Sequence, residues 1–462
     1  MSISKLTIKY QTLSRRVTSL TSELDIWIDR ADTGRVLEKN FSQIEVLDYF
    51  MRTLCKQNEA SLNALDPDGN IDVFLCDSFK LTKGIIQSQV IWDFFRDRLE
   101  LRFVPQFQQP LLMADLISYD CYTTVMNKAK ALRIIPSQSF REYPLVGLVA
   151  GFSPVTWQRG QRPPALQNHY LPIPVIDLPW EHLINPWELL TIAHEVGHDV
   201  DKDLGKLTES LHPVIANQLA KDQSSTKHIA QWQRWTSEIL ADIIGILLTG
   251  PSFVQVLTGL LTLPKNRIRH INYNDSHPPH YLRVFINSAL LRRLGLSQPA
   301  SDIEAKWKML YGQPGTEFAP YLSAIEPVIS TILDTRLAAL QDQNGKCHSI
   351  SELVTFTPDN HALVQQVATK LATTLVFTKI PIRYIGSASQ LAFEQLTKTN
   401  DSAKLENLAR HTQQAIINLA PPDQLPAGLS PRARQHLDNL VDALASRPLS
   451  DFGFQFPSTL DN

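Results

Sequence analysis

Residues 189–204 read LLTIAHEVGHDVDKDL, and this stretch decides how the rest of the chain is interpreted. Within it, His194, Glu195 and His198 form the pattern His-Glu-x-x-His. Residues four apart lie on one face of a helix, so both imidazoles can bind the same cation. Glu195 can reach a water on that cation and take its proton. Two imidazole ligands and an adjacent carboxylate base are what zinc-assisted hydrolysis requires. The stretch therefore predicts a helix that carries a metal site.

The residues around this pattern separate a metal site from a chance match, which a chain with 13 histidines could contain. Asn185 and Pro186 are suited to the cap and first turn of a helix. The neighbouring residues are apolar, so one face of the helix is expected to be buried. Gly197 costs about 1 kcal/mol of helix propensity relative to Ala. We expect another segment or a substrate to approach closely at this glycine.

Composition is typical of a globular protein. Of its residues, 43% are hydrophobic and 19% are charged. The length of 462 residues is more than one ordinary hydrophobic core requires. The net charge of -2 gives no reason to expect nucleic acid or an anionic membrane as a partner. The four cysteines lack CxxC spacing and are expected to be buried thiols. The first residues, MSISKLTIKYQTLSRR, do not resemble a secretory signal, so a cytoplasmic location is expected.

Residues 241–263 are the segment that most resembles a membrane span. They are mostly apolar and carry one charge, Asp242. Gly250 and Pro251 interrupt the run near its middle. The pattern predicts two buried helices and no stable membrane span.

A second informative stretch, residues 235–248, reads WTSEILADIIGILL. Glu238 and Asp242 are four apart on a strongly apolar helix and therefore share a face. Acidic side chains are seldom buried without a partner, and a cation supplies one. Glu238 is then the candidate third ligand, and Asp242 the acceptor for a ligating imidazole. The alternative is an acidic pair exposed to water at the start of a helix.

A third stretch, residues 274–283, reads NDSHPPHYLR. His277 and Arg283 could together stabilise an oxyanion opposite the metal. The alternative is a proline-rich loop with solvated side chains. His212 and His228 are candidate ligands by residue type only, and both are expected at the surface.

The three stretches, in this order, resemble the gluzincin class of zinc peptidases. The closest likeness is to the CAAX prenyl protease and the related heat-shock-type membrane metalloproteases. That family carries His-Glu-x-x-His, then Glu-x-x-x-Asp, then His-Pro followed by Arg. The resemblance covers roughly residues 170–295. It departs from the family in lacking convincing membrane helices and in the short step of 40 positions from His198 to Glu238. The metzincin pattern is not met, because Leu204 occupies the position of its third histidine.

The resemblance implies a role for each matching residue. One Zn²⁺ per chain would be held by His194, His198 and Glu238, with Glu195 as the general base. Asp242 would orient a ligand. His277 and Arg283 would assist at the transition state.

We expect a mainly α (α+β) fold, with a zincin-like catalytic domain at residues 141–297. Helical regions are predicted at 1–140 and 298–462, including a helix at 319–340. Strands are predicted at 144–152 and 171–178. Pro172 and Pro174 favour an edge position for the second strand. Such an edge could pair with an extended peptide or could only cover the metal helix.

The predicted function is a soluble zinc metallopeptidase acting on a peptide or protein substrate. One alternative is a binding or scaffold protein on a zincin fold with little turnover. Glu195, His277 and Arg283 argue against that alternative, because a binding module needs none of them. The other alternative is a zinc hydrolase of a non-peptide amide or ester, which these residues do not exclude.

Overall fold

A computed structural model describes residues 5–32, 34–136, 142–161, 171–371, 379–399 and 401–420, together with 435, 438 and 439. Within these residues the chain is mainly helical, with one three-stranded mixed sheet and one two-stranded sheet. The predicted mainly α class with a small sheet is confirmed.

Four long helices form the N-terminal region, as predicted: α1 (Lys5–Arg30), α2 (Phe41–Asn63), α3 (Ile71–Glu100) and α4 (Pro105–Ala131). The buried face of α1 includes Leu13, Val17, Leu20 and Leu24, which follow helical spacing in the sequence. Helices α1 to α3 contribute to two smaller hydrophobic clusters, one of which also contains Leu145 and Val175 of the three-stranded sheet. Helix α4 belongs to the largest core, which continues to Ile416. This core crosses the positions of the predicted domain boundaries, which remain predictions.

The three-stranded sheet consists of β1 (Leu145–Val149), β2 (Val155–Trp157) and β3 (Val175–Pro179). It precedes, in the chain, the helix that carries His194, Glu195 and His198, which is called the metal-motif helix below. Strand β3 is central, parallel to β1 and antiparallel to β2. The predicted edge position of the second run is therefore wrong. Pro172 and Pro174 precede the first ladder residue of β3, so they remove no ladder amide. Strand β2 lies at an edge.

The metal-motif stretch forms α5 (Ile192–Asp203). A 3-10 turn at Glu188–Thr191 precedes it, so the α-helix begins later than Asn185 and Pro186 indicate. Helix α6 (Leu207–Lys221) leads to α7 (Thr226–Thr249), which crosses α5. A Cβ at Gly197 would lie 2.7 Å from Ala241 Cα and 3.0 Å from Ala241 O. The predicted close approach at Gly197 is confirmed, and its partner is α7.

The apolar run at 241–263 is divided as predicted. Gly250, with φ of +69°, ends α7, and α8 (Pro251–Leu260) follows at once. Then come α9 (Lys265–Ile268) and α10 (His280–Arg293). No helix in the described ranges has both the length and the apolar character needed to cross a membrane.

The C-terminal region contains seven further helices within the described residues and one hairpin. The helices are α11 (Ser297–Tyr311), α12 (Ala319–Leu322), α13 (Ile325–Asp334), α14 (Ile350–Leu353), α15 (Pro358–Leu371), α16 (Ile382–Leu396) and α17 (Ser402–Asn418). The hairpin pairs β4 (Leu337–Gln341) with β5 (Cys347–His348).

The hairpin corrects the predicted helix at 319–340, which is wrong over its last part. The turn after Gln341 is closed by Asp342 Oδ1, which accepts from the amides of Asn344 and Lys346, and by Gly345 at φ of +84°. This turn brings β5 back against β4. Strand pairing therefore outweighs the helix propensity of the Leu-Ala-Ala-Leu run. The sequence pattern also predicts a helix at 361–377, which overlaps α15 at residues 361–371; residues 372–377 lie outside the described residues.

Candidate metal centre

Three potential ligands meet where α5 crosses α7. His194 and His198 project from one face of α5, and Glu238 faces them from α7. The Nε2 atom of His194 lies 3.4 Å from Glu238 Oε2, and that of His198 lies 3.6 Å from Glu238 Oε1. One ligand atom from each residue lies within 4.8 Å of the other two. These three side chains could hold a metal ion.

The donor set fits zinc, for which two imidazoles and one carboxylate are a known combination that keeps a position open. Glu238 Oε2 is buried and makes no well-oriented hydrogen bond, although His194 Nε2 and His277 Nε2 lie 3.4 and 3.2 Å away. With the imidazoles neutral, the carboxylates of Glu195, Glu238 and Asp242 outnumber the single guanidinium of Arg283 by two charges. A divalent cation would balance this excess.

The carboxylates also control the protonation of the metal-free site. Burial disfavours the charged form of His194, but the neighbouring carboxylates of Asp242 and Glu238 outweigh it and raise the pKa of His194 to about 10. Burial, together with the nearby positive charge of His194, lowers the pKa of His198. Burial alone would raise the pKa of Glu238, but the neighbouring imidazoles of His194 and His277 hold it well below its ordinary value. The site thus attracts positive charge strongly.

A second layer of side chains orients His194. Asp242 is buried, and its Oδ1 lies 2.9 Å from His194 Nδ1. Arg283 donates to both oxygens of Asp242, from Nη2 and Nε, at 2.7 Å each. Asn287 Nδ2 donates to Asp242 Oδ2 at 3.0 Å. Burial opposes ionisation of Asp242, but Arg283 holds its pKa well below the ordinary value. The ionised Asp242 can therefore accept from His194 and leave the Nε2 atom of that ring for a metal.

Glu195 lies beside the ligands and is 7% exposed. The hydroxyl of Thr156 in β2 donates to Glu195 Oε2 at 2.5 Å. The next polar residue of the same segment, Gln158, donates from Nε2 to the carbonyl oxygen of His198 at 2.7 Å. Strand β2 is therefore attached to the metal-motif helix at two points.

His277 reaches the site from the loop before α10. Its side chain is about half exposed, and Nε2 lies 3.2 Å from Glu238 Oε2. Asp275 Oδ1 lies 3.0 Å from His277 Nδ1 and also accepts from the His277 backbone amide at 2.9 Å. The carboxylate of Glu238 beside the ring is the main reason that the pKa of His277 is raised. The ring is thus held at the mouth of the site with a polar edge towards the ligands.

The centre opens into a cleft of about 700 Å³. Residues of strand β2 line this cleft. It is also lined by an apolar group from α8 and the residues after it: Phe253, Leu257, Leu260, Leu261 and Leu263. Phe253 lies parallel to the His194 ring, at 6.3 Å between ring centres. The cleft has room for a ligand with apolar groups.

The structure brings all seven sequence-predicted site residues together: His194, Glu195, His198, Glu238, Asp242, His277 and Arg283. The roles assigned to them remain predictions. Arg283 is buried and donates to both oxygens of Asp242, and its Nη2 atom lies 3.7 Å from Glu238 Oε2. His212 and His228 are not part of the cluster found in the described residues.

Four contacting residues were missed by sequence reasoning. Asn287 is four positions after Arg283 on α10, and that spacing could have indicated a shared partner. Asp275 is two positions before His277 and could have been found as its neighbour. Thr156 and Gln158 carry no local signal, because they reach α5 only through the packing of the sheet.

Comparison of the chain with protein-family models, with curated proteins and with solved structures found no match. The functional assignment therefore depends on the geometry of the site.

Proposed function

We propose that the chain is a zinc-dependent metallopeptidase of the gluzincin type. The observation that carries the proposal is the convergence of His194, His198 and Glu238 in an open cleft, with the carboxylate of Glu195 beside them. A site that only stabilises the fold is usually closed by a fourth protein ligand. The open cleft and the adjacent base favour hydrolysis.

Each residue has a role that its position supports. His194, His198 and Glu238 would hold the zinc ion, which would supply an electrophile and lower the pKa of a bound water. Glu195 would accept a proton from the attacking water and return it to the leaving amine. His277 stabilises the negative charge that develops on the substrate oxygen. Asp242 fixes the His194 ring, and Arg283 neutralises Asp242.

A peptide fits the surroundings of the centre. Strand β2 pairs with β3 on one side, and within the described residues no strand covers its other edge. An extended peptide could add to that edge by backbone hydrogen bonds. The apolar side of the cleft could then receive its side chains. These features favour a peptide over another amide or ester. A cytoplasmic location remains a prediction from the sequence.

Metal content is the first test. Purified wild type is compared with His194→Ala, Glu238→Ala and Glu195→Gln by elemental mass spectrometry after zinc loading. We expect about one zinc per chain in the wild type and in Glu195→Gln, and loss of zinc in the two alanine variants. Absence of zinc from the loaded wild type would refute the proposal. Zinc binding that is retained in Glu238→Ala would show that another residue is the third ligand.

Peptide cleavage is the second test. A mixture of unstructured peptides is incubated with the wild type or with Glu195→Gln, and new termini are identified by mass spectrometry. We expect cleavage by the wild type that is lost in Glu195→Gln, although both bind zinc. Zinc binding without cleavage in either protein would support the scaffold alternative instead.

A further inference from the structure

Thr156 lies in the edge strand β2 and faces the metal-motif helix. Its hydroxyl donates to Glu195 Oε2 at 2.5 Å and lies 3.4 Å from the Glu195 carbonyl oxygen. Side chains alternate along a strand, so the neighbouring Trp157 is directed away from this contact. Trp157 donates from Nε1 to Asp177 Oδ2 in β3. The strand thus directs one hydroxyl to the residue that the proposed mechanism uses as a base.

This hydrogen bond restricts the Glu195 carboxylate. A glutamate side chain has three rotatable bonds, and loss of its orientation would place the carboxylate oxygens away from the reacting water. A hydroxyl that donates to a carboxylate makes a short and strong hydrogen bond. It engages Oε2, so the lone pairs of Oε1 are available for proton transfer. The bond therefore fixes the orientation of the base without removing its capacity to act.

The position of the Thr156 hydroxyl is itself fixed by β2. Gln158 attaches the end of the strand to the carbonyl oxygen of His198, one turn along α5 from Glu195. On the other side, Asp177 binds Trp157 and forms an ion pair with Arg98, in which Nη2 and Oδ2 are 2.5 Å apart. The same contacts therefore fix the position of the Thr156 hydroxyl relative to the helix that carries His194 and His198.

We propose that Thr156 is a positioning residue that holds the Glu195 carboxylate in its reactive orientation. The proposal rests on the proposed peptidase function, because it assigns Glu195 the role of base. Thr156 acts through Glu195 and needs no contact with the substrate. A hydroxyl that only attached the strand to the helix would affect folding, whereas a positioning hydroxyl also affects turnover.

The test compares Thr156→Val, which removes the hydroxyl at nearly constant volume, with Thr156→Ser, which retains it. The matched control is Thr208→Val. Thr208 Oγ1 donates to Asp201 Oδ2 at 2.7 Å, so this control removes a threonine-to-carboxylate bond from the same helix α5 at a distance from Glu195. Zinc content and the kinetics of cleavage of one peptide substrate are measured for each variant.

We expect Thr156→Val to keep its zinc and its KM but to lose kcat on the order of 100-fold, as misplacement of a catalytic group does. Thr156→Ser should restore most of the kcat, and Thr208→Val should leave it unchanged. An unchanged kcat in Thr156→Val would overturn the proposal. So would a loss that Thr156→Ser fails to restore, or one explained by lost zinc.

A measurement without substrate separates this proposal from the peptidase proposal. Thr156→Val is placed in the wild-type and in the Glu195→Met background, and the denaturant midpoints of the metal-free proteins are compared. We expect Thr156→Val to lower the midpoint in the wild-type background and to have a much smaller effect in the Glu195→Met background, which offers the hydroxyl no carboxylate. Equal shifts in the two backgrounds would overturn the proposal. If the effects of Thr156→Val and Glu195→Met are coupled but the protein cleaves no peptide, the contact between Thr156 and Glu195 would stand. Only the peptidase function would then be refuted.

Discussion

The contact between α5 and α7 at Gly197 gives a testable prediction, because it links the packing of the two helices to the geometry of the candidate metal centre. In Gly197→Ala, the new Cβ would lie 2.7 Å from Ala241 Cα, 3.0 Å from its carbonyl oxygen and 3.2 Å from its Cβ. Two of these three contacts are with backbone, which cannot rotate away. The helices would have to move apart.

The size of the effect follows from these distances. Carbon atoms pack at about 3.5–4.0 Å, so the helices must separate by roughly 1 Å. Overpacking of this kind costs about 1–3 kcal/mol, and the better helix propensity of Ala offsets about 1 kcal/mol. His194 and His198 flank Gly197 on α5, whereas Glu238 is on α7. Since ligand distances tolerate about 0.2 Å, we expect zinc affinity to fall on the order of 10- to 100-fold.

The assay is equilibrium denaturation of the metal-free protein together with competitive zinc titration. Gly259→Ala is the matched control, because Gly259 lies in α8 and a Cβ there meets no atom within 4 Å. We expect the control to gain up to about 1 kcal/mol of stability and to keep its zinc affinity. If Gly197→Ala behaved like this control in both measurements, the reasoning from helix contact to ligand placement would be refuted.

Three further predictions concern buried groups around this core. Burial raises the pKa of Glu142 to about 7, against an ordinary 4.5, so the unfolded chain ionises first and stability falls by about 3 kcal/mol as the pH rises from 4.5 to 7. In Glu142→Gln the side chain can still accept from Ser42. Its free energy of unfolding, measured by denaturation at several pH values, should be close to that of the wild type at pH 4.5 and higher by up to about 3 kcal/mol at pH 8. Equal stability of the two proteins at pH 8 would contradict this. Asp242→Asn leaves Arg283 buried beside a neutral partner, so the free energy of unfolding should fall by about 3–5 kcal/mol. Zinc affinity, measured by titration, should fall by about 10- to 100-fold. An unchanged zinc affinity would show that Asp242 does not support metal binding. Gly250→Ala places a non-glycine residue at φ of +69° with its Cβ against the Phe356 ring. We therefore expect the free energy of unfolding to fall by at least about 2 kcal/mol. Thermal unfolding at the same temperature as the wild type would contradict this strain.

The candidate site could be predicted from sequence to the extent that its geometry is local. His194 and His198, and likewise Glu238 and Asp242, are related by one helical turn, so each pair shares a face wherever its helix lies. Helix α7 also carries acidic residues in an apolar run, and that contrast indicates a buried cationic partner. The meeting of the two pairs was an inference from chemistry, and the structure places them together.

The parts that were missed depend on contacts between distant segments. The proline rule for strands was applied to residues that precede β3, although only the ladder positions decide whether proline is tolerated. The Leu-Ala-Ala-Leu run became β4 because a tight turn supplied a partner strand, which no local propensity can indicate. Thr156 reaches Glu195 across 39 positions of sequence, and its role follows only from the placement of the sheet.

The small sheet and the helix crossing constrain opposite sides of the same stretch of α5. Gly197 sets the distance from the imidazoles to Glu238 on α7, and Thr156 sets the orientation of Glu195 towards β2. Metal affinity and base orientation are therefore separable: a change at Gly197 should affect zinc binding first, and a change at Thr156 should affect turnover with zinc still bound. A site evolved only to hold a metal would need the first constraint and not the second. The hydrogen bond from the Thr156 hydroxyl to the proposed base Glu195 is thus the contact that best distinguishes a catalytic centre from a structural one.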